Sequence, residues 1–110
     1  MRMLIYAGSE FMTSDAIADA LLRYSEALAD GRTAATIEVP VVEPDGSTTT
    51  AAFLVGPASQ IVSKEIETDM VDPDAPEVLA RLEALTRSLH PTATTDSEPP
   101  TEDVSWNWEN

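Results

Sequence analysis

The sequence contains no cysteine, which excludes disulfides, thiolate metal sites and cysteine nucleophiles. Basic residues are scarce: 6 Lys+Arg stand against 20 Asp+Glu, a formal net charge of −14. Nucleic-acid backbones and anionic membrane surfaces both repel such a chain, so neither is expected as a direct partner. With only 4 glycines and no Gly-Lys-Ser/Thr triplet, a phosphate-cradling loop has little to be built from. No window approaches the ~20 apolar residues needed to cross a bilayer. The apolar residues after Arg2 stop at Gly8, short of the ~7–15-residue stretch of a secretory leader. The expected compartment is therefore the cytoplasm.

What is present suits one small domain. The length is 110 residues and the hydrophobic fraction 43%, enough to bury a core. Charge divides the chain. Residues 1–90 hold 15 acids and 6 bases, whereas residues 91–110 hold Asp96, Glu98, Glu102, Asp103 and Glu109 and no base. That second stretch is rich in Pro and Thr with little to bury, and is expected to be a disordered acidic C-terminal tail.

Within residues 1–90 the apolar pattern predicts alternating element types. Met3–Ala7 reads as a buried strand. A helix follows from about Ser14 to Ala29, capped by Ser14, with Asp15 and Asp19 near its positive end and Gly31 as its stop. Ile17, Leu21, Tyr24 and Leu28 form its apolar stripe, and Phe11 or Met12 is expected to pack back on its first turn. From Ala35 to Val42 the alternation is that of a strand with one buried face. Glu43-Pro44-Asp45-Gly46 turns the chain into a hairpin whose return strand is Ser47–Val55. Pairing residues 43 and 47 sets Ile37 opposite Phe53, Val39 opposite Ala51 and Ala35 opposite Val55. Pro40 cannot donate to a ladder, so an edge or a bulge is expected there.

Gly56-Pro57 breaks the return strand. For residues 58–66 Pro57 would suit a helix N-terminus, but the β-branched side chains favour a third, hairpin-connected strand. After a loop over Asp69–Asp74, a second helix is expected from about Ala75 to Leu89. Asp74 and Glu77 resemble a capping box, and Val78, Leu82, Leu85 and Leu89 make the stripe. The expected fold is a small two-layer α+β sandwich over residues 1–90, order β-α-β-β-(β)-α, with a mainly antiparallel sheet and two helices on one face.

Four features bear on chemistry. Gly56–Gln60 would offer amides and Ser59 to an anion only if it opened a helix; a strand break is the simpler reading. Glu65, Glu67, Asp69, Asp72 and Asp74 form an acidic run, but a calcium loop started at Asp72 places Glu77 where glycine belongs. A solvated acidic edge fits better, and no metal or other cofactor is expected. His90, the one imidazole, sits where a helix C-terminus favours its cation and lacks a partner that would make it a general base. Last, in an extended segment Trp106 and Trp108 project from the same side, and each offers ~150–250 Å² of buriable surface; such a tail can fold back onto its own body, dock on a partner as a short linear motif, or be an inert end.

No set of residues fills the roles of nucleophile, base and oxyanion donor. The expected function is that of a small, acidic, non-enzymatic protein-interaction module, with Trp106 and Trp108 as partner-binding residues and an open sheet edge admitting a homodimer. One alternative is an acidic inhibitor or immunity-type protein that mimics nucleic acid to occupy a basic groove. A small metal-dependent enzyme is the other.

Overall fold

The computed structural model describes residues 1–89, so the expectations for His90, the tail over residues 91–110, Trp106 and Trp108 lie outside the described residues. Among the described residues the order is β1 (Arg2–Tyr6), β2 (Ser9–Thr13), α1 (Asp15–Asp30), β3 (Ala35–Val42), β4 (Thr48–Val55), β5 (Ile61–Glu65) and α2 (Pro76–Leu89). The strands form one five-stranded antiparallel sheet in the order β4-β3-β2-β1-β5. The α+β class and the antiparallel sheet agree with the expectation.

One strand was not foreseen. β2 pairs with β1 through a two-residue turn at Ala7-Gly8, where both φ angles are positive (53° and 81°). That mirror-image turn matches the twist of the flanking strands. Alanine at its first position hides the usual Asn-Gly signal. Phe11 is consequently a strand residue opposite Leu4, with its ring edge-on to Phe53 at 5.1 Å.

α1 starts as expected: the Ile17 N–H donates to Ser14 Oγ at 3.2 Å. It ends where expected, with Gly31 as the C-cap residue, but the glycine does not supply the left-handed turn. Gly31 keeps a negative φ of −85°, and Arg32 takes the left-handed conformation at φ 55°. The N–H groups of Arg32 and Thr33 then donate to the Ala29 and Leu28 carbonyls, each at 3.0 Å. This is the usual closure of a helix end, with the glycine one position too early.

The β3–β4 hairpin has the register read from the sequence, pairing Ala35 with Val55, Ile37 with Phe53 and Val39 with Ala51. Gly46, at φ 90°, closes the turn, and its N–H donates to the Glu43 carbonyl at 2.8 Å. Asp45 Oδ1 accepts from both the N–H and the hydroxyl of Ser47. Pro40 marks a local edge inside the sheet. Its carbonyl accepts from Thr13 Oγ1 at 2.8 Å, and β2 pairs with β3 only at Met12 and Val42. A residue's N and O point to one side of a strand, so the missing donor of Pro40 faces β2, where the ladder fails.

That gap lets the sheet fold over on itself. Tyr6 of β1 lies 5.5 Å from the Phe53 ring of β4, although β2 and β3 stand between them in the strand order. The Tyr6 hydroxyl also donates to the Leu54 carbonyl. After β4 the chain crosses to the other side of β1, where Ile5 pairs with Val62 and Leu4 with Ser63. β5 is therefore a strand, as expected, but it is not hairpin-connected to β4.

α2 begins one residue later than a cap at Asp74 requires. The N–H of Leu79 donates to the Ala75 carbonyl at 3.2 Å, which makes Ala75 the cap residue and places Pro76 at the first helical position. Asp74 precedes the cap, so the expected capping box is out of register. Both helices pack into one cluster with the sheet: Ile17, Leu21, Tyr24 and Leu28 of α1, Leu82 of α2, Leu4 of β1, and Ile37, Val39, Phe53 and Val55 of the hairpin. Each large apolar side chain buried there contributes roughly 1.5–3 kcal/mol before entropy is charged against it.

Candidate functional site

Where the sheet folds over, its open face carries an apolar groove of about 640 Å³. One wall is Ile5 and Val62, paired across β1 and β5, with the Ala7-Gly8 turn above them. The other wall is the end of β4 at Leu54 and the turn that follows it. Leu54 is 60% and Val62 55% exposed, unusual values for large apolar side chains in a sheet.

The turn over Gly56–Ser59 is built to hold that wall. The Ser59 N–H donates to the Gly56 carbonyl at 3.1 Å, with Pro57 fixing φ at the second position. Ser59 Oγ accepts from the Gly56 N–H at 2.9 Å and donates to the Leu54 carbonyl at 3.3 Å. Gly56 itself is pressed against the chain before β3: a Cβ there would lie 2.9 Å from both the Thr33 carbonyl oxygen and Ala34 Cβ. Hence the segment that would bind an anion as a helix start is instead a tight turn whose serine is committed to backbone.

Tyr6 is the one ionisable side chain in the lining, and its hydroxyl is already donated to Leu54. No carboxylate, lysine or histidine lines the groove to activate Ser59. Two other depressions among the described residues are smaller: one of about 230 Å³ at Arg23, Glu83 and Arg87, and one of about 200 Å³ beside Glu10 and Glu43.

The acidic run is spread out. Glu65 ends β5 and Glu67, Asp69, Asp72 and Asp74 are exposed along the following loop. Among the described residues no group of three or more His, Asp or Glu is placed to hold a metal ion. Electrostatics are organised elsewhere, at the first residue. The Met1 amino group lies 2.9 Å from Asp15 Oδ1 and the Arg2 guanidinium 3.6 Å from it. The bond from the amino group holds the Asp15 carboxyl below its ordinary value, and the same bond raises the amino group. Asp45 is also lowered, by the Ser47 hydroxyl and N–H.

Residue-by-residue reading of the sequence named Gly56–Gln60 and passed over Ile5, Leu54 and Val62. A signal for Leu54 was present: in the predicted register it falls on the outward face of β4, where Thr48 and Thr50 are polar. Among the described residues no helix is long and apolar enough to cross a membrane. No family model matches the sequence, and comparison with the curated proteins and with the solved structures yields no match.

Proposed function

We propose that the chain is a non-enzymatic interaction module that binds a protein partner at the apolar groove on the open face of its sheet. The observation that carries this reading is the exposure of Leu54 and Val62 around a depression whose lining offers no acid–base or nucleophilic pair. Apolar surface left uncovered at a concave site is the ordinary mark of a recognition surface. The edges of β4 and β5, open among the described residues, offer backbone donors and acceptors to an added strand.

Affinity capture from the native lysate tests the proposal. The full-length chain is compared with Leu54→Thr/Val62→Thr, which removes apolar surface without adding charge and keeps residues suited to strands. Proteins that the wild type retains are expected to be lost from the double variant. Retention of the same proteins by both would remove the groove from the interface. Binding that collapses between low and physiological salt would favour instead the acidic inhibitor that mimics nucleic acid.

A further inference from the structure

The same polypeptide carries a segment able to fill the groove. We propose that Val104–Trp108 docks there, with Trp106 and Trp108 against Ile5, Leu54 and Val62. This rests on the groove being a binding surface, and it names an occupant for that surface.

Three observations favour this occupant. First, aromatic surface is matched to a site. Within residues 1–89 the aromatic side chains are Tyr6, Phe11, Tyr24 and Phe53, and all belong to the core cluster or pack against it. The 2 tryptophans of the chain are the aromatic groups left to place, and they stand two apart, a spacing that puts both on one side if the segment docks extended. The groove, at about 640 Å³, has about three times the volume of each of the two smaller depressions described above, and its lining is free of charge.

Second, the segment reaches. Residues 90–105 separate the end of α2 from Trp106. Such a stretch spans up to ~50 Å, against a radius of gyration of ~12 Å for a body of this size. Tethering of this kind supplies an effective concentration on the order of millimolar, so even a weak segment occupies the groove for much of the time.

Third, charge disfavours the competing occupant. A second copy would bring a further net charge of −14 against the first. The five acids of residues 91–110 also oppose the body, but the groove lining is uncharged, and Lys64 stands two residues from Val62 on the same face of β5.

Tryptophan fluorescence of the full-length chain reads the contact directly, because no tryptophan lies in residues 1–89. The expected emission is blue-shifted from that of N-acetyl-tryptophanamide in the same buffer, protected from acrylamide, and independent of dilution. In Leu54→Thr/Val62→Thr the emission is expected to move to the red and the protection to be lost, while circular dichroism stays that of the wild type. Should those substitutions disturb the fold, Ala58→Asp on the turn wall provides the second readout. Emission like that of the free amide in the wild type would overturn the proposal, as would a blue shift that survives the groove substitutions. A blue shift that vanishes on dilution would also overturn it, by assigning the groove to a second copy. The proposed function fails by a different result, unchanged partner capture by the groove variant, so the two are separable. If the segment docks, Trp106→Ala/Trp108→Ala is expected to increase capture of a groove-binding partner.

Discussion

The two faces of the sheet differ in what they ask of their side chains. On the core side, Leu4, Val39, Phe53 and Val55 are fully buried in one cluster with side chains of α1 and α2. On the other side, Thr36, Glu38, Thr48 and Thr50 are exposed as a solvated face requires, until the alternation breaks at Leu54, beside Val62. Phe53 and Leu54 are chain neighbours with opposite fates. The first holds the fold together, and the second is left for something else to cover. Apolar character therefore marks stability on one face and, in the proposed function, recognition on the other, and only the neighbours across the sheet tell which.

The sharpest way to break that contrast is to truncate each neighbour. Phe53→Ala is expected to cost about 3–5 kcal/mol in urea unfolding, a large part of the ~5–15 kcal/mol available to a domain. Leu54→Ala is expected to cost under ~1 kcal/mol. Equal losses would mean that Leu54 belongs to the core and the groove is not a free surface.

Next in size is the wall between the faces. Gly56→Ala forces a Cβ against the Thr33 carbonyl and Ala34, both at 2.9 Å, and backbone must yield. A loss of roughly 1–3 kcal/mol is expected from such overpacking, with weaker partner capture as the wall shifts. A neutral result would show that the turn does not pack as tightly as described.

Smaller gains are expected where the backbone is strained on neither face. Ala7→Asn in the β1–β2 turn and Arg32→Gly after α1 each place a tolerant residue at a positive φ. Each is expected to raise stability by about 0.5–1 kcal/mol in the same assay and to leave capture unchanged. Altered capture on Arg32→Gly would draw the α1–β3 connection into the interface.

The smallest effect is electrostatic. The Asp45 carboxyl sits below its ordinary value because Ser47 donates to its charged form. Its contribution is complete above the unfolded pKa and fades as pH falls through the lower, folded one. Asp45→Ala is thus expected to be less stable than wild type at neutral pH, with the deficit shrinking on acidification in paired thermal melts. A deficit that grows toward acid would reverse the assigned sign.

Local signals made much of this architecture legible. Ser14 marks the start of α1, and Glu43–Ser47 carries turn chemistry strong enough to set the β3–β4 register residue by residue. What stayed hidden is decided at long range. β2 was missed because Ala7 does not announce the turn that Gly8 completes. The crossing of β5 to the far side of β1 depends on pairing energies between segments some sixty residues apart, as Ile5 with Val62, which no local pattern encodes. The groove follows from that crossing and from the gap at Pro40. Leu54 could be seen to face outward, but not what it faces. The acidic run was visible and proved dispersed.

An amide correlation spectrum of the full-length chain, recorded with and without a captured partner, measures most directly which surface does the work. Shifts are expected to concentrate at Ile5, Gly8, Leu54, Gly56 and Val62, with the exposed strand face around Glu38 and Thr50 unmoved. Shifts gathered instead along Glu65–Asp74, with those five amides silent, would contradict the account and give the role to the acidic loop.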